Sequence, residues 1–295
     1  MSQLAQGQEA APAEQEPSWA DERREDMSAQ ANEFANWVDS FFGHPREIED
    51  EARSQIRIRP QLDWDEEDGW DWKLRATGRL HLPRTSDRLS VVFSGNDGDF
   101  QEEFYDPSIA TGDDSAAGVQ YQVRRKKRSA AYLFAGAKSG PNVKLGGRYR
   151  FVDGLWENAS YRFSEEVFWV GGDGFTSRTR LDLNQSLSEN TLLRWANRVD
   201  YGEKTNGGEW VTRLSWIRRL SQRQAFRVFG FVRGDTDPEL LKNRGVGLSL
   251  RRRWLRDWLF VELEPQYSWR KRRVDEDREG VAQVRLRLEI LIGER

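Results

Sequence analysis

Arginine at every second position is the feature of this chain with the most chemical reach. In residues 55–64, Arg57 and Arg59 alternate with Ile56, Ile58 and Leu62, and in residues 70–82, Lys73, Arg75 and Arg79 alternate with Trp72, Leu74 and Leu80. The same spacing puts Arg124, Lys144, Arg148, Arg150, Arg162, Arg178, Arg180, Arg194, Arg198, Arg213, Arg251, Arg253, Arg270, Arg285 and Arg287 on one face of later segments, giving twenty bases in all. Eight acids share that face: Asp63, Asp65, Asp71, Asp182, Asp200, Glu262, Glu264 and Glu289. A guanidinium stays charged at every working pH and forks onto carboxylates and phosphates. Such a face either attracts anions or closes on its own acids in a salt-bridge network, and the spacing alone leaves both open.

Other candidate chemistry is thin. His81 lies near Ser86 and Asp87, but Pro83 and a turn separate them and no Gly-flanked nucleophile is present, so no hydrolase and no catalytic residue is expected. Glu262 and Glu264 project to one side of a strand, where salt bridging to arginine is the ordinary role. The acids Asp97, Asp99, Glu102, Glu103, Asp106, Asp113 and Asp114 do not complete a calcium loop and read as a solvated connection. Gly171, Gly172 and Gly174 precede no helix, so they cradle no phosphate. His44 sits between Gly43 and Pro45 as the neighbour of a helix stop. With no cysteine in 295 residues, disulfides, thiolate zinc sites and thiol catalysis are ruled out. No metal and no cofactor is expected.

The elements that must position these arginines read as strands. Alternation near period two runs through 55–64, 70–82, 87–94, 118–125, 129–138, 142–152, 158–170, 175–187, 191–201, 209–219, 223–233, 244–254, 258–270 and 281–292. That is fourteen segments, with twelve also open because 129–138, 158–170 and 223–233 alternate less cleanly. Short links at 83–86, 125–128, 187–190 and 220–222 are interleaved with longer ones at 95–117, 202–208, 234–243 and 271–280, the rhythm of an up-and-down barrel with one short-turn rim. Before the strands, residues 1–26 have the composition of a disordered acidic leader, and 27–52 form an amphipathic helix and linker. Phe34, Trp37, Val38, Phe41 and Phe42 mark the helix's apolar face, with Gly43 and Pro45 as its stop.

Charge separates along the same boundary. The net charge of −3 conceals an N-terminal part, residues 1–52, with thirteen acids and three bases, followed by 36 acids and 43 bases. Of the 46 bases, 38 are arginine. Residues 53–295 are expected to form a single closed sheet. Eight strands already enclose a bore that side chains just fill, so fourteen cannot pack an apolar interior. The apolar face must then point outward into lipid, and the charged face inward. Trp64, Trp70, Trp72, Trp156, Trp169, Trp254, Trp258 and Trp269 lie near strand ends, where interfacial girdles form. The low mean hydropathy of −0.84 fits such a wall, because only every second strand residue meets lipid.

In these respects residues 53–295 resemble the outer-membrane β-barrels of Gram-negative bacteria. The last strand, with Val284, Leu286, Leu288, Ile290 and Ile292 alternating, looks like the C-terminal signal read by the barrel assembly machinery, although it ends in Gly293, Glu294 and Arg295 where an aromatic is usual. The resemblance implies an outer-membrane location, lipid and lipopolysaccharide around the wall, and a signal peptide removed before this sequence begins. An arginine-rich lumen implies porin-like passage or binding of small anionic solutes. The alternative is a non-conducting scaffold barrel. The acidic helical segment either plugs the lumen, binds a periplasmic partner, or packs on the rim at the membrane interface. The basic runs Arg124–Arg128 and Arg270–Arg273 fit rim positions, so no nucleic-acid partner is expected.

Overall fold

The computed structural model describes residues 34–42, 54–82, 88–94, 116–138, 142–156, 158–203, 205, 207–271, 273–275 and 277–293. The fourteen strands, in order, are β1 Gln55–Asp65, β2 Gly69–His81, β3 Leu89–Ser94, β4 Ala116–Lys126, β5 Ser129–Lys138, β6 Val143–Trp156, β7 Ala159–Val170, β8 Gly174–Ser188, β9 Thr191–Gly202, β10 Gly207–Ser221, β11 Gln224–Thr236, β12 Glu239–Arg253, β13 Leu259–Arg270 and β14 Glu279–Gly293. Each pairs antiparallel with its sequence neighbours, and β1 closes on β14 from Gln55 opposite Gly293 to Asp65 opposite Gln283. Closure leaves no terminal edge strand, which is what a hydrocarbon surround demands.

The start of β1 and the end of β14 lie at one rim, here the terminus-bearing rim. Four of its links are two residues long, at 127–128, 157–158, 189–190 and 222–223. The expected long connection at 234–243 is instead the pair Asp237 and Pro238: a bulge between Arg233 and Asp235 lets the ladder continue through Asp235 opposite Leu240 and Thr236 opposite Glu239. Gly234 and Asp235 look like loop residues in sequence, but here they are strand. The acid-rich link at 95–115 and Ser86 lie outside the described residues.

Side chains alternate as period two requires. Leu133, Val167, Trp195, Leu214, Val246 and Leu263 are exposed on the outer wall, and Trp70, Trp72, Trp156, Trp254 and Trp258 are exposed near strand ends. The intervening residues turn inward and are buried. Two polar groups complicate the pattern. A bulge between Gln122 and Arg124 shifts the register, so Arg124, expected inside, sits opposite Ala131 and is exposed. Glu165 lies on the outer face of β7, where its carboxylate accepts bonds from Ser177 Oγ and Thr179 Oγ1, both at 2.6 Å.

The outer face allows a direct test. Leu214 stands in mid-β10, opposite Trp195 on one side and Gly230 on the other, and is 51% exposed. Leu214→Arg is expected to cost about 2–4 kcal/mol of folding stability in vesicles, the price of a cation at the bilayer midplane. Urea unfolding from lipid would measure it. A midpoint equal to that of the parent would mean that this face does not meet hydrocarbon.

Candidate functional site: the bore and its internal helix

Two ion-pair belts line the inner wall. The first spans β6 to β9. Register places Arg148 opposite Glu166, Glu166 opposite Arg178 and Arg178 opposite Asp200, so charge alternates around the wall. Glu166 accepts from Arg148 Nε at 2.5 Å and Lys144 Nζ at 3.3 Å. Asp200 is forked by Arg178, with Nε to Oδ1 at 3.0 Å and Nη2 to Oδ2 at 2.6 Å, and also takes Arg198 Nε at 2.8 Å. One row nearer the terminus-bearing rim, Arg150 faces Ser164, Ser164 faces Arg180, and Arg180 faces Arg198. That row holds three guanidiniums and no acid.

The second belt joins β11 to β14 with β1. Glu289 accepts from Arg59 Nε at 2.9 Å and Arg251 Nη2 at 2.8 Å, with Arg57 Nε at 3.6 Å. Glu262 is shared by Arg227 at 3.1 Å, Arg251 at 3.1 Å and Arg287 at 3.4 Å, and it accepts from Ser249 Oγ at 2.6 Å. Glu264 takes Arg227 Nη2 at 2.6 Å and Arg285 Nη1 at 3.3 Å, and Arg285 also reaches Asp63 at 2.9 Å. Each of these acids is thus divided among two or three arginines. In both belts the basic side chains outnumber the carboxylates they share, and low-dielectric walls strengthen such pairs.

Of the other inward arginines, Arg75 is buried, Arg79 Nη2 donates to Gln120 Oε1 at 3.1 Å, and Arg213 lies over the Phe229 ring at 4.8 Å. Sequence reading missed Glu166 and Arg227, which are central to the two belts. Both fall in segments whose alternation is blurred, by the Glu165–Glu166 pair in one and by Phe226, Phe229 and Phe231 in the other. It also missed the apolar patch where Val92, Phe134, Phe168 and Val170 pack together on the inner side. Lys144 stands over the Phe168 ring there, 4.1 Å from its centroid.

Inside the bore, near the terminus-bearing rim, sits a helix. Residues 34–41 are helical, and Phe42 closes the turn through its N–H to the Val38 carbonyl at 2.9 Å. The part expected over 27–33 lies outside the described residues. Phe34, Ala35, Val38, Phe41 and Phe42 are buried against Leu192, Ile217, Ala225 and Phe260, all on the inner wall, with Trp37 and Leu291 packed alongside. Phe34, Trp37 and Phe41 stack along the helix, and Phe41 meets Phe260 edge-on at 5.6 Å. Wall arginines cap these rings: Arg219 lies over Phe34 and Trp37, and Arg227 over Phe42. The position inside the wall departs from a rim or interfacial helix.

One acid on this helix faces the wall. Asp39 is 1% exposed; its Oδ1 accepts from Arg194 Nη2 at 2.5 Å and its Oδ2 from Arg162 Nη2. A single buried carboxylate thus ties the helix to β7 and β9.

A cluster of Asp65, Glu67 and Asp68 at the β1–β2 turn brings three carboxylates together, and Arg270 reaches all three, most closely Asp65. His81 stays near the terminus-bearing rim, its backbone N–H bonded to Ser54 Oγ at 3.1 Å.

A closed, even-stranded antiparallel barrel with an apolar, tryptophan-rimmed exterior and a charged interior is a bilayer-spanning barrel of the bacterial outer-membrane type. No protein-family model matches the sequence, and no curated protein matches it. Solved structures match by fold. The outer membrane channel DcaP of Acinetobacter baumannii is 10% identical, with a TM-score of 0.49 over 81% of this chain and 96% of that one. OprD of Pseudomonas aeruginosa is 9% identical, with a TM-score of 0.45 over 82% and 95% of the two chains. A KdgM porin in complex with disordered oligogalacturonate is 6% identical, with a TM-score of 0.40 over 79% and 98%. The likeness is one of barrel fold.

Proposed function

We propose that the barrel is a porin-like passage for small anionic solutes across the outer membrane, held shut at the terminus-bearing rim by its own N-terminal helix. The sharing of each belt carboxylate among two or three basic side chains carries this reading, since it leaves positive charge along the bore for a solute to meet. The row of Arg150, Arg180 and Arg198 supplies a stretch of wall that carries no acid of its own, Arg198 being tied to Asp200 in the adjacent row. Lipid and lipopolysaccharide surround the wall in this account, the last strand is read by the assembly machinery, and the acidic leader remains a surface for a periplasmic partner. The helix seated in the bore favours a second reading, a permanently closed scaffold barrel.

Vesicle swelling separates the two. With residues 1–46 deleted, vesicles are expected to swell faster in a small carboxylate salt than in an amine salt of equal size. Swelling no faster than in protein-free vesicles would favour the scaffold.

A further inference from the structure

The wall residues that hold Asp39 form a built site with partners of their own on the wall. Arg194 is 3% exposed and donates through Nε to Asn184 Oδ1 at 2.7 Å, leaving its Nη2 for a carboxylate. Arg162 on β7 has Asp182 on β8 at 4.0 Å. A wall hydrogen bond thus orients Arg194, Asp182 draws Arg162 toward the wall, and Asp39 places one carboxylate oxygen on each guanidinium. A planar, two-oxygen anion matches two guanidiniums converging from strands on either side of β8.

From this geometry we propose that Arg162, Arg194 and Asn184 form a carboxylate-binding site of the bore, and that Asp39 is an internal occupant which a free carboxylate solute replaces. The site's Arg162 side chain keeps 28% of its surface exposed, so an arriving carboxylate reaches it while Asp39 is still seated. Solute binding and helix seating then exclude each other. Since the rest of the helix is held by ring packing and cation–π contacts, loss of the Asp39 tie loosens it without detaching the whole segment. An anion that binds in the bore thus opens the passage for those that follow. The inference rests on the bore admitting anions, as proposed above, but it is tested separately.

The absence of native cysteine permits a clean reporter. Ala35 is buried against the wall, so Ala35→Cys in the full-length protein is expected to react slowly with a bulky, water-soluble maleimide. Acetate at constant ionic strength should accelerate labelling saturably and well beyond chloride, a single-atom anion that cannot place a separate oxygen on each guanidinium. Adding Asp39→Asn removes one member of a buried ion pair and should speed labelling in chloride by roughly a hundredfold, with acetate then adding little. Val38→Cys, at a second buried position of the same helix, serves as the reporter if Ala35→Cys fails to fold.

Equal labelling rates in acetate and chloride would overturn the inference, as would an Asp39→Asn variant that labels as slowly as its parent. Either result leaves the anion-passage reading to the swelling assay on the shortened chain. Conversely, an acetate response in a barrel whose shortened form does not swell would place the site in a closed scaffold.

Discussion

Deleting residues 1–46 is expected to convert a mostly closed barrel into a continuously conducting one, with single-channel conductance rising several-fold. The helix inserts three stacked aromatic rings and three further apolar side chains among Leu192, Ile217, Ala225 and Phe260, where the bore would otherwise hold water. Packing alone would make its removal costly, and the Asp39 tie to Arg162 and Arg194 adds a buried ion pair. Breaking one side of such a pair costs about 3–5 kcal/mol, because the partner is left charged and desolvated. Asp39→Asn in the full chain should therefore show an intermediate phenotype, with frequent openings on a closed background. Planar-bilayer recording of the parent, the point variant and the deletion tests the order. Equal conductance in all three would show that the helix does not obstruct the bore.

The second large effect is on stability. Glu289 is 1% exposed and faces Arg57, Arg59 and Arg251. Glu289→Gln removes a charge that Arg59 and Arg251 share across the β14 seam. A loss of about 3–5 kcal/mol is expected, by the same reasoning of an uncompensated buried cation. Asp71 makes a useful contrast. It also carries an ion pair, to Lys73 at 3.2 Å, but its side chain is 61% exposed, so Asp71→Asn should cost about 1 kcal/mol or less. Urea titration of both variants in the same vesicles gives the comparison. If the two losses were equal, the inner wall would be behaving as a water-filled surface, with the belts contributing no more than exposed pairs do.

Much of this architecture was legible in the sequence, for a simple reason. A strand between lipid and a charged bore must alternate at every residue, and Arg57, Arg75, Arg148, Arg178, Arg198, Arg251 and Arg287 could not sit on the outer face without great cost. Fourteen segments could be counted this way. The failures arose where alternation is broken by local geometry. The bulge at Gln122–Arg124 reverses facing and carries Arg124 out, and the bulge at Arg233–Asp235 extends two strands to a two-residue turn. The inward aromatics were missed because they compensate for missing side chains: a Cβ on Gly247 would stand 2.5 Å from Phe229 Cζ, and one on Gly146 2.5 Å from Phe134 Cζ. A phenyl ring lying over a strand glycine leaves no trace in a pattern of hydrophobic alternation.

The helix was legible as an element but not in its place. Its phenylalanines and Trp37 suit a rim, an interface or a bore equally well. What decides among them is Asp39, one acid among thirteen in the N-terminal part, and its partners lie 123 and 155 residues away in sequence. No local spacing encodes that pairing. The excess of acids before residue 52 and of bases after it makes the attraction general, and the two arginines make it specific.

The central claim is that the bore carries an uncompensated positive field. The most direct test is the reversal potential of the barrel lacking residues 1–46, recorded across a potassium chloride gradient in a planar bilayer. A potential displaced toward the chloride equilibrium value, and reduced when Arg150 and Arg180 are both replaced by glutamine, is the predicted result. A potential at zero, or one displaced toward potassium, would contradict the account: the belts would then be neutral seals, and the arginines of this barrel would serve its wall alone.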